Sequence, residues 1–252
     1  MIDFSIYLSR LGFKRMPPVA LKSLQQLQRA HLLRIPFENL DIHRKVRIEL
    51  DSSKIFAKVM SNNRGGFCYE LNGIFYELLT HIGFQVKRIS AQVYSEENGY
   101  SPEYDHMSLL VQIDGQYYLS DVGYGEFAFA PLALRFNELQ KDERGIFIVD
   151  EFRDGYLRVC KLDEKGEEKT EYIFKPDAQP FDAFTGMCNH QQDDPNSHFW
   201  QKKLISRATK NGRITISGPL LKIRKGKKIK EKDLENEEAF DKALWKYFKI
   251  KF

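Results

Sequence analysis

The chain has little cysteine, and its cysteines are not spaced for the common structural roles. Cys68, Cys160 and Cys188 are an odd number, so they cannot all pair within one chain. No two of them show the C-x-x-C spacing of zinc knuckles or of thioredoxin-like redox motifs. We therefore expect no metal centre and no disulfide framework, and we assign the chain to the reducing cytosol.

Long hydrophobic runs are absent as well. No stretch reaches the roughly 18 apolar residues that a membrane-spanning helix needs. Asp3 stands where the start of a signal peptide would be basic, and no apolar run follows it. The sequence also lacks the glycine patterns of phosphate-binding loops and of dinucleotide-binding folds. We expect a cytoplasmic protein with no membrane partner.

The charge balance is nearly even, with 39 Lys and Arg against 35 Asp and Glu and a formal net charge of +4. Much of the excess lies in the run from Lys222 to Lys232. This run lacks the interleaved aromatic residues that stack on single-stranded nucleic acid. We interpret it as a solvated loop, with attraction for the phosphate groups of a ligand as the alternative, and we expect no nucleic-acid partner.

Apolar material is plentiful, with 42% hydrophobic and 13% aromatic residues in 252. A chain of this length buries roughly 70–75% of the surface that its unfolded form exposes, so it can form one layered domain or two to three small ones. Helical patterns come first, strand patterns next and a mixed tail last. This order predicts an α+β fold.

Helical periodicity dominates the first third of the chain. Apolar residues recur at three-residue steps from Leu21 to Ala30, and Ser52 or Ser53 could cap a short helix. A clearly amphipathic run extends from Leu71 to Ile82, and Gly83 follows as a stop signal. Cys68 therefore lies at the N-terminal end of a helix.

Strand-like patterns follow, and their turns can be read from the sequence. Apolar runs at 107–113 and 116–122 flank Asp114-Gly115, which predicts a hairpin with a type I′ turn. Asp154-Gly155 predicts a second hairpin in the same way. The tail from 235 to 249 again has helical spacing.

The position of Cys68 favours a reactive thiol. The N-terminus of a helix offers unpaired N–H groups and the positive end of the macrodipole, and both favour the thiolate. The same N–H groups can stabilise an oxyanion that forms when the thiolate attacks a carbonyl. Gly65 and Gly66 would let the backbone approach a ligand closely.

The first hairpin places a histidine beside an aspartate. If Asp114-Gly115 is a two-residue loop, His106 and Asp121 are diagonal neighbours on one face, about 7–8 Å apart along the backbone. A one-residue change in loop length would separate them to opposite faces. Asp121 would then orient His106, and His106 would accept the proton of Cys68. The sequence does not show that Cys68 lies against this hairpin.

Each of these residues has a plainer interpretation when it is taken alone. A lone cysteine is more often a small buried hydrophobic residue than a nucleophile, and we expect that role for Cys160 and Cys188. A lone histidine before a strand is usually structural or exposed. The shared hairpin face of His106 and Asp121 is what favours a functional interpretation of Cys68.

Four segments together resemble the arylamine N-acetyltransferase family, in its order and near its spacing. They are Ile35-Pro-Phe-Glu-Asn-Leu-Asp41, Arg64-Gly-Gly-Phe-Cys-Tyr-Glu-Leu-Asn72, His106-Met-Ser-Leu-Leu-Val111 and Tyr118-Leu-Ser-Asp-Val-Gly-Tyr-Gly125. Weaker similarity at 190–199 and 212–218 extends the resemblance over roughly residues 1–220. The last 30 residues fit the family less clearly.

The resemblance implies a three-part fold. It comprises a helical N-terminal bundle with the nucleophile (1–83), an antiparallel β-barrel with the histidine and aspartate (84–190), and a C-terminal α/β lid (191–252). It also implies a papain-like triad of Cys68, His106 and Asp121. Cys68 would take an acetyl group from acetyl-CoA and pass it to an arylamine, a hydrazine or an N-hydroxyarylamine in a ping-pong scheme.

The resemblance further suggests which residues bind the two substrates. The acceptor side of the cleft would involve Phe37, Tyr124, Gly125 and Glu126. The coenzyme A side would involve Ser101, Pro102, Asp105, Thr215 and Ser217. We also expect a partly buried ion pair between Arg64 and Glu38 that ties the nucleophile loop to the first motif.

Three other functions are compatible with parts of this pattern. A cysteine hydrolase would use the same triad with water as the acceptor, and an amide synthase would use a different acyl donor. A regulator that binds coenzyme A or a nucleotide would need no histidine and aspartate on one hairpin face. Loss of activity on replacing His106 or Asp121 separates the enzymes from the regulator.

Overall fold

The computed structural model describes residues 2–252, and its long helices lie mostly before residue 84. The helices are α1 (Phe4–Leu11), α2 (Leu21–Arg34), α3 (Leu40–His43), α4 (Ser52–Phe56), which continues as a π-helical turn at Ala57–Ser61, α5 (Cys68–Ile82), α6 (Thr185–Asp193), α7 (His198–Gln201) and α8 (Glu237–Phe248).

Helices α2 and α5 form where the periodicity predicted them. Helix α5 is buried on nearly every side, and Gly83 ends it in the left-handed conformation with φ of 105°. The cap of α4 differs from expectation, because Asp51 rather than a serine accepts the N–H groups of Ser53 and Lys54. An aspartate at that position is as good an acceptor as serine and also carries the charge that a helix N-terminus favours.

Strands make up most of the rest of the chain. They are β1 (Phe37–Glu38), β2 (Gln85–Ser95), β3 (Gly99–Tyr100), β4 (His106–Ile113), β5 (Gln116–Ser120), β6 (Leu132–Ala133), β7 (Gln140–Asp142), β8 (Gly145–Glu151), β9 (Leu157–Leu162), β10 (Glu168–Phe174), β11 (Leu204–Thr209), β12 (Gly212–Ser217), β13 (Leu220–Lys225) and β14 (Lys228–Asp233).

The larger sheet is antiparallel and nearly closes into a barrel. Its strand order is β6-β5-β4-β2-β10-β9-β8-β7, with β3 paired to β2. The side-chain amide of Gln140, on the last strand, bonds both the N–H and the carbonyl of Ala133 on the first strand. One side chain thus links the two free edges.

The hairpin that carries the candidate site has the predicted register. Strands β4 and β5 pair Ile113 with Gln116 and Leu109 with Ser120. Asp114 and Gly115 have φ values of 51° and 79°, the two positive values of a type I′ turn. The prediction from the Asp-Gly pair is confirmed.

The second Asp-Gly pair also forms a two-residue turn, but the strands beside it are shifted by one residue. Asp154 and Gly155 have φ values of 56° and 75°, and the Tyr156 N–H bonds the Arg153 carbonyl, which is the type I′ arrangement that the pair predicts. Strand β8 ends at Glu151, which pairs with Leu157 at the start of β9. The Phe152 N–H bonds the Tyr156 carbonyl, so one extra residue lies on the β8 side of the turn.

The smaller sheet contains a strand from each end of the chain. Its order is β1-β11-β12-β13-β14, so Phe37 and Glu38 pair with the C-terminal part, and α8 packs on this sheet. The basic run from 222 to 232 forms most of the β13–β14 hairpin and is not a loop. Its lysines suit the exposed edge of a sheet, where β14 pairs with one neighbour only.

Four hydrophobic clusters hold these parts together. The largest packs the first helices and α5 against β4, a second fills the barrel, and a third lies between the small sheet and α8. A fourth surrounds Cys68 at the start of α5 and includes Cys188 of α6. The α+β class, with helices, barrel and mixed C-terminal part, is confirmed, whereas the domain boundaries at 83 and 190 remain predictions. Within residues 2–252, no helix is both long enough and apolar enough to cross a bilayer.

Candidate active site

Cys68 is the first residue of α5 and lies where the helix meets the hairpin. The glycines before it serve a different purpose from the one expected. A Cβ on Gly65 would lie 1.9 Å from the Pro36 carbonyl oxygen, and one on Gly66 would lie 2.7 Å from Cβ of Glu70. The close approach that these glycines allow is therefore to the protein itself, because Pro36 and Glu70 fill the space that a ligand would need.

His106 and Asp121 form a direct hydrogen bond. Nε2 of His106 lies 2.6 Å from Oδ2 of Asp121, and both side chains are buried. The bond follows from the hairpin register, which puts both residues on one face. It leaves Nδ1 as the ring nitrogen available to a neighbouring group.

Four further donors hold the Asp121 carboxylate. Oδ1 accepts the side-chain amide of Asn72 at 2.9 Å and the backbone N–H groups of Gly123 and Tyr124 at 2.8 and 3.0 Å. Oδ2 also accepts the Tyr172 hydroxyl at 3.2 Å. Together with His106, these donors nearly fill the hydrogen-bonding positions of the Asp121 carboxylate. The position of the carboxylate is therefore rigidly defined.

These contacts decide the charge of Asp121. Burial would raise the pKa of Asp121, but the charge of His106 and the hydrogen bonds from His106, Asn72 and Gly123 together hold it below its usual value. The carboxylate is therefore ionised at neutral pH.

The surroundings of Cys68 oppose the thiolate more than its helix position suggested. Burial, and after it the Asp105 carboxylate, raise the pKa of the Cys68 thiol well above its usual value. The expected lowering by the helix N-terminus is outweighed, because desolvation of a charge in a buried site is the larger effect. Ionisation of Cys68 thus depends on proton transfer to His106 rather than on release to water.

A cleft of about 710 Å³ opens onto this site, and Cys68 and His106 both line it. Most of the residues that the sequence suggested for substrates line it as well: Phe37, Tyr124, Gly125, Glu126, Ser101, Pro102 and Asp105. Thr215 and Ser217 do not line it. They lie beside its wall on β12, where Thr215 pairs with Ser206 and Ser217 with Leu204, and both of these partners line the cleft.

Three residues that the sequence did not single out complete the site. Asn72 lies one helical turn after Cys68, and its amide bonds both Asp121 and the Met107 carbonyl. A Cβ on Gly123 would lie 2.8 Å from Cα of Cys68, so only glycine lets the loop pack there. The i, i+4 spacing from Cys68 could have revealed Asn72, but no local signal points to Tyr172, which comes from β10.

Aromatic rings enclose the imidazole. The rings of Tyr124 and Tyr172 lie 5.6 and 5.5 Å from that of His106, measured between centroids. Burial, and after it the charge of Glu171 and a hydrogen bond to it, raise the pKa of Tyr124, which stays protonated. This apolar enclosure restricts His106 to the position that Asp121 sets.

A buried ion network lies behind the nucleophile loop. Arg64 donates to Glu38 at 2.8 and 3.0 Å and to Asp41 at 2.7 Å, and Lys58 lies 2.8 Å from Asp41 and from Glu70. The predicted pair of Arg64 and Glu38 is confirmed, and it is more buried than expected. Glu70 also accepts the Phe67 N–H, so the network fixes the start of α5.

Metal-ligand spacing is not found in the described part of the chain. Among residues 2–252, no group of three or more His, Cys, Asp or Glu side chains is arranged to hold a metal ion.

Comparison with known proteins gives one consistent result. A family model described as N-acetyltransferase matches residues 20–252. Arylamine N-acetyltransferase 2 of Homo sapiens is 30% identical, over 99% of this chain and 94% of that protein. An arylamine N-acetyltransferase / N-hydroxyarylamine O-acetyltransferase of Salmonella typhimurium is 34% identical, over 84% of this chain and 75% of that protein.

Solved structures agree with the sequence relatives. The structure of the arylamine N-acetyltransferase from Salmonella typhimurium matches with a TM-score of 0.91 and 26% identity, over 99% of this chain and 92% of that one. That of the arylamine N-acetyltransferase from M. smegmatis matches with a TM-score of 0.91 and 25% identity, over 100% of this chain and 93% of that one.

Proposed function

The chain belongs to the arylamine N-acetyltransferase family, and on that premise we propose that it transfers acetyl groups from acetyl-CoA to aromatic amines, hydrazines or N-hydroxyarylamines through an acetyl thioester on Cys68. The single observation that carries the proposal is the bond between His106 and Asp121 at the edge of the cleft that Cys68 lines. This arrangement supplies a nucleophile, a base and a group that orients the base.

In the first half of the reaction, Nδ1 of His106 takes the thiol proton while Sγ of Cys68 attacks the acetyl carbonyl. The tetrahedral intermediate collapses, the bond to the sulfur of coenzyme A breaks, and the imidazolium returns its proton to that leaving thiolate. Asp121 stabilises the imidazolium throughout. The coupled transfer suits a thiol whose pKa burial raises, because no free thiolate has to form in the cleft.

The oxyanion of that intermediate needs hydrogen-bond donors. The first N–H groups of a helix have no partner within the helix, and Cys68 stands at the start of α5. We assign the stabilisation of the oxyanion to these N–H groups. One of them is the N–H of Cys68, the reacting residue itself. Donors of this kind typically contribute about 10²–10³-fold to the rate.

In the second half, the amine attacks the acetyl thioester. His106 accepts a proton from the attacking nitrogen, the bond from the acetyl carbon to Sγ breaks, and the thiol of Cys68 is restored with that proton. Phe37, Tyr124, Gly125 and Glu126 would contact the acceptor. Ser101, Pro102 and Asp105 would lie along the coenzyme A arm, with Thr215 and Ser217 on the strand beside the cleft wall.

The deciding experiment is the intact mass of the protein after brief incubation with acetyl-CoA and no acceptor. We expect one added acetyl group, which an arylamine then removes. Cys68→Ala should gain none, and Cys188→Ala, which removes another buried thiol, should behave as the wild type. An adduct that survives in Cys68→Ala would contradict the assignment of the nucleophile.

The alternatives give different results in the same assay. A cysteine hydrolase would lose the acetyl group to water with no amine present, and an amide synthase would need another acyl donor. The aromatic rings around His106 disfavour water as the acceptor. A cytosolic location stays a prediction from the sequence.

A further inference from the structure

A turn with a strained backbone lies directly before His106. The Asp105 N–H donates to the Pro102 carbonyl at 3.4 Å, and Tyr104 within this turn has a φ of 65°. A tyrosine in the left-handed region is rare and costly, and it persists only where the surrounding contacts enforce it. Strand β4 begins at His106, so the conformation of Tyr104 sets the direction in which the chain enters the candidate site. We call residues 102–105 the entry turn.

Contacts with the barrel and with the segment before α6 hold Tyr104. Oγ of Ser90, on β2, accepts the Tyr104 N–H at 2.8 Å, and the Tyr104 hydroxyl donates to Oε1 of Gln179 at 3.2 Å. The Tyr104 ring meets that of Phe184 edge to face, with 5.4 Å between the centroids. None of these three partners belongs to α5, so they do not fix the entry turn to the helix that carries Cys68.

Tyr69 supplies the contact between the entry turn and α5. It follows Cys68 in the chain, and its hydroxyl oxygen lies 2.8 Å from the carbonyl oxygen of Tyr104 and 2.9 Å from that of Asp105. A hydroxyl has one proton, so the two carbonyls share it. Burial is the main cause that raises the pKa of Tyr69 well above its usual value, so the hydroxyl stays a donor. One hydroxyl thus joins the nucleophile helix to the last two carbonyl groups before His106.

The Asp105 carbonyl is also the acceptor that faces the thiol. Sγ of Cys68 lies 3.9 Å from this oxygen, whereas the Tyr69 hydroxyl lies 2.9 Å from it and is the stronger donor. A thiol that donates to a carbonyl is stabilised in its neutral form, and its proton is then less available to Nδ1 of His106. By taking up the Asp105 carbonyl, the Tyr69 hydroxyl limits this competing bond.

Other groups around the sulfur are ionisable and come from the hairpin, the entry turn and α6. His106 and Asp121 lie on the hairpin side, Asp105 in the entry turn and Cys188 in α6, and the last three of these raise the pKa of the thiol. Replacing Tyr69 by phenylalanine changes none of these charges. A change in the ionisation of the thiol in that variant therefore reports the hydrogen bonds of the entry turn.

We propose that Tyr69 is a positioning residue of the acetyl transfer, whose hydroxyl holds the entry turn against α5 so that the thiol proton is offered to Nδ1 of His106 rather than held by the Asp105 carbonyl. Tyr69 does not line the cleft, so it acts through the backbone before His106 and not on a substrate. The inference rests on the proposed acetyl transfer and adds a residue to it.

The test replaces Tyr69 by phenylalanine, which removes the hydroxyl and keeps the ring against Phe67 and Phe184. Alkylation of Cys68 by iodoacetamide is followed across pH by mass spectrometry of the peptide that contains it. We expect the midpoint of this profile to move to higher pH by about half to one pH unit, the scale of one hydrogen bond.

Acetylation should change in its rate and not in its dependence on the donor. In single turnovers with acetyl-CoA, we expect the maximal rate of Tyr69→Phe to fall by about five- to tenfold. The concentration of acetyl-CoA that gives half of that rate should stay the same, because Tyr69 does not face the cleft. Tyr7→Phe is the matched control, since it removes another buried hydroxyl, 2.8 Å from His31 in the largest hydrophobic cluster. Its pH profile and acetylation rate should match those of the wild type.

A second pair of variants tests the left-handed conformation itself. Tyr104→Gly and Tyr104→Ala both remove the ring, but only glycine adopts a positive φ without steric cost. We expect Tyr104→Gly to be acetylated several-fold faster than Tyr104→Ala. The effect of Tyr69→Phe should also be smaller when it is combined with Tyr104→Gly, because that turn needs less support. Equal rates in the two Tyr104 variants would contradict the role of the entry turn.

Two outcomes for Tyr69→Phe overturn the inference. One is a wild-type alkylation profile together with a wild-type acetylation rate. The other is a slower acetylation that accompanies a lower melting temperature while the alkylation profile stays unchanged, which would make the hydroxyl a purely structural group.

The alkylation profile also separates this inference from the proposed reaction, because iodoacetamide needs no acetyl donor. A shifted profile in Tyr69→Phe supports the positioning role even if the wild type never becomes acetylated. Acetylation of the wild type with no shift in the variant leaves the reaction intact and removes the role of Tyr69.

Discussion

Two groups of charged side chains flank the candidate site, and they differ in charge balance. The buried ion network has three acids and two bases, and every charge in it touches an opposite one. At the rim of the cleft, Glu126 faces four bases, Arg144, Lys161, Arg213 and Arg224, and we call these five residues the Glu126 cluster. The network lies behind the nucleophile loop, whereas Glu126 and Arg213 line the cleft.

Charge balance separates two roles for charged side chains near the site. A network whose charges satisfy one another is complete and needs only the fold, so it serves to hold the nucleophile loop in place. A group with more bases than acids gives the rim of the cleft an excess of positive charge. The predictions below test this distinction.

The largest effect on stability should come from the network. Arg64→Gln leaves the buried Glu38 without its ion-pair partner and Asp41 with Lys58 alone, so we expect a loss of about 3–5 kcal/mol in the free energy of unfolding. Urea titration measures it. The control is Arg135→Gln, whose pair with Glu138 is more than half exposed and should contribute under about 1 kcal/mol. Equal losses in the two variants would contradict a structural role for the network.

The contributions of the two regions to stability should also change with pH in opposite directions. Burial raises the pKa of Glu70 to about 7, with Lys58 opposing the shift and Glu38 adding to it. The folded state therefore keeps a proton on Glu70 that the unfolded chain releases at the usual pKa of 4.5. The contribution of Glu70 to the free energy of unfolding is thus full below pH 4.5 and is lost as the pH rises through 7. Burial alone would raise the pKa of Glu126, but the nearby positive charges, of which Arg144 has the largest effect, lower it below 4.5. The contribution of Glu126 to stability is therefore lost as the pH falls below 4.5.

Unfolding titrations of Glu70→Gln and Glu126→Gln across this range check those signs. The stability difference between wild type and Glu70→Gln should fall between pH 4.5 and 7, by an amount on the order of 3 kcal/mol. The difference for Glu126→Gln should instead fall toward acid pH. If both stability differences fell in the same direction of pH, the two regions would not differ in the way that these pKa shifts indicate.

The smallest effect on stability should come from the rim. Arg224 and Glu126 each have 41% of the side chain exposed, so Arg224→Gln should change the free energy of unfolding by less than about 1 kcal/mol. A larger loss of stability would mean that the Glu126 cluster holds the small sheet to the barrel.

Much of this site could be predicted from the sequence because it depends on local geometry. The two-residue turn at Asp114-Gly115 sets the register, and the register alone puts His106 and Asp121 on one face. The helical period and Gly83 likewise set the bounds of α5 and so the place of Cys68. The second Asp-Gly pair shows the limit of such signals, because its turn forms as predicted while one extra residue on the β8 side shifts the register of the strands beside it.

Other parts required contacts between distant segments. Tyr172 reaches Asp121 only because β10 lies beside β2 in the barrel, and Gly123 is essential only because Cα of Cys68 lies against it. The basic run from 222 to 232 became a hairpin because β12 offers it an edge to pair with. No periodicity in the sequence encodes these neighbours.

The α+β class, the helix that starts at Cys68 and the hairpin that joins His106 to Asp121 follow from the sequence, since each depends on the period and turn chemistry of a continuous segment. The protonation of Cys68, the completeness of the network behind it and the excess of positive charge around Glu126 arise only in the folded protein. The reason is that burial and charge balance depend on which segments meet, and desolvation in a shared interior outweighs what any one segment favours.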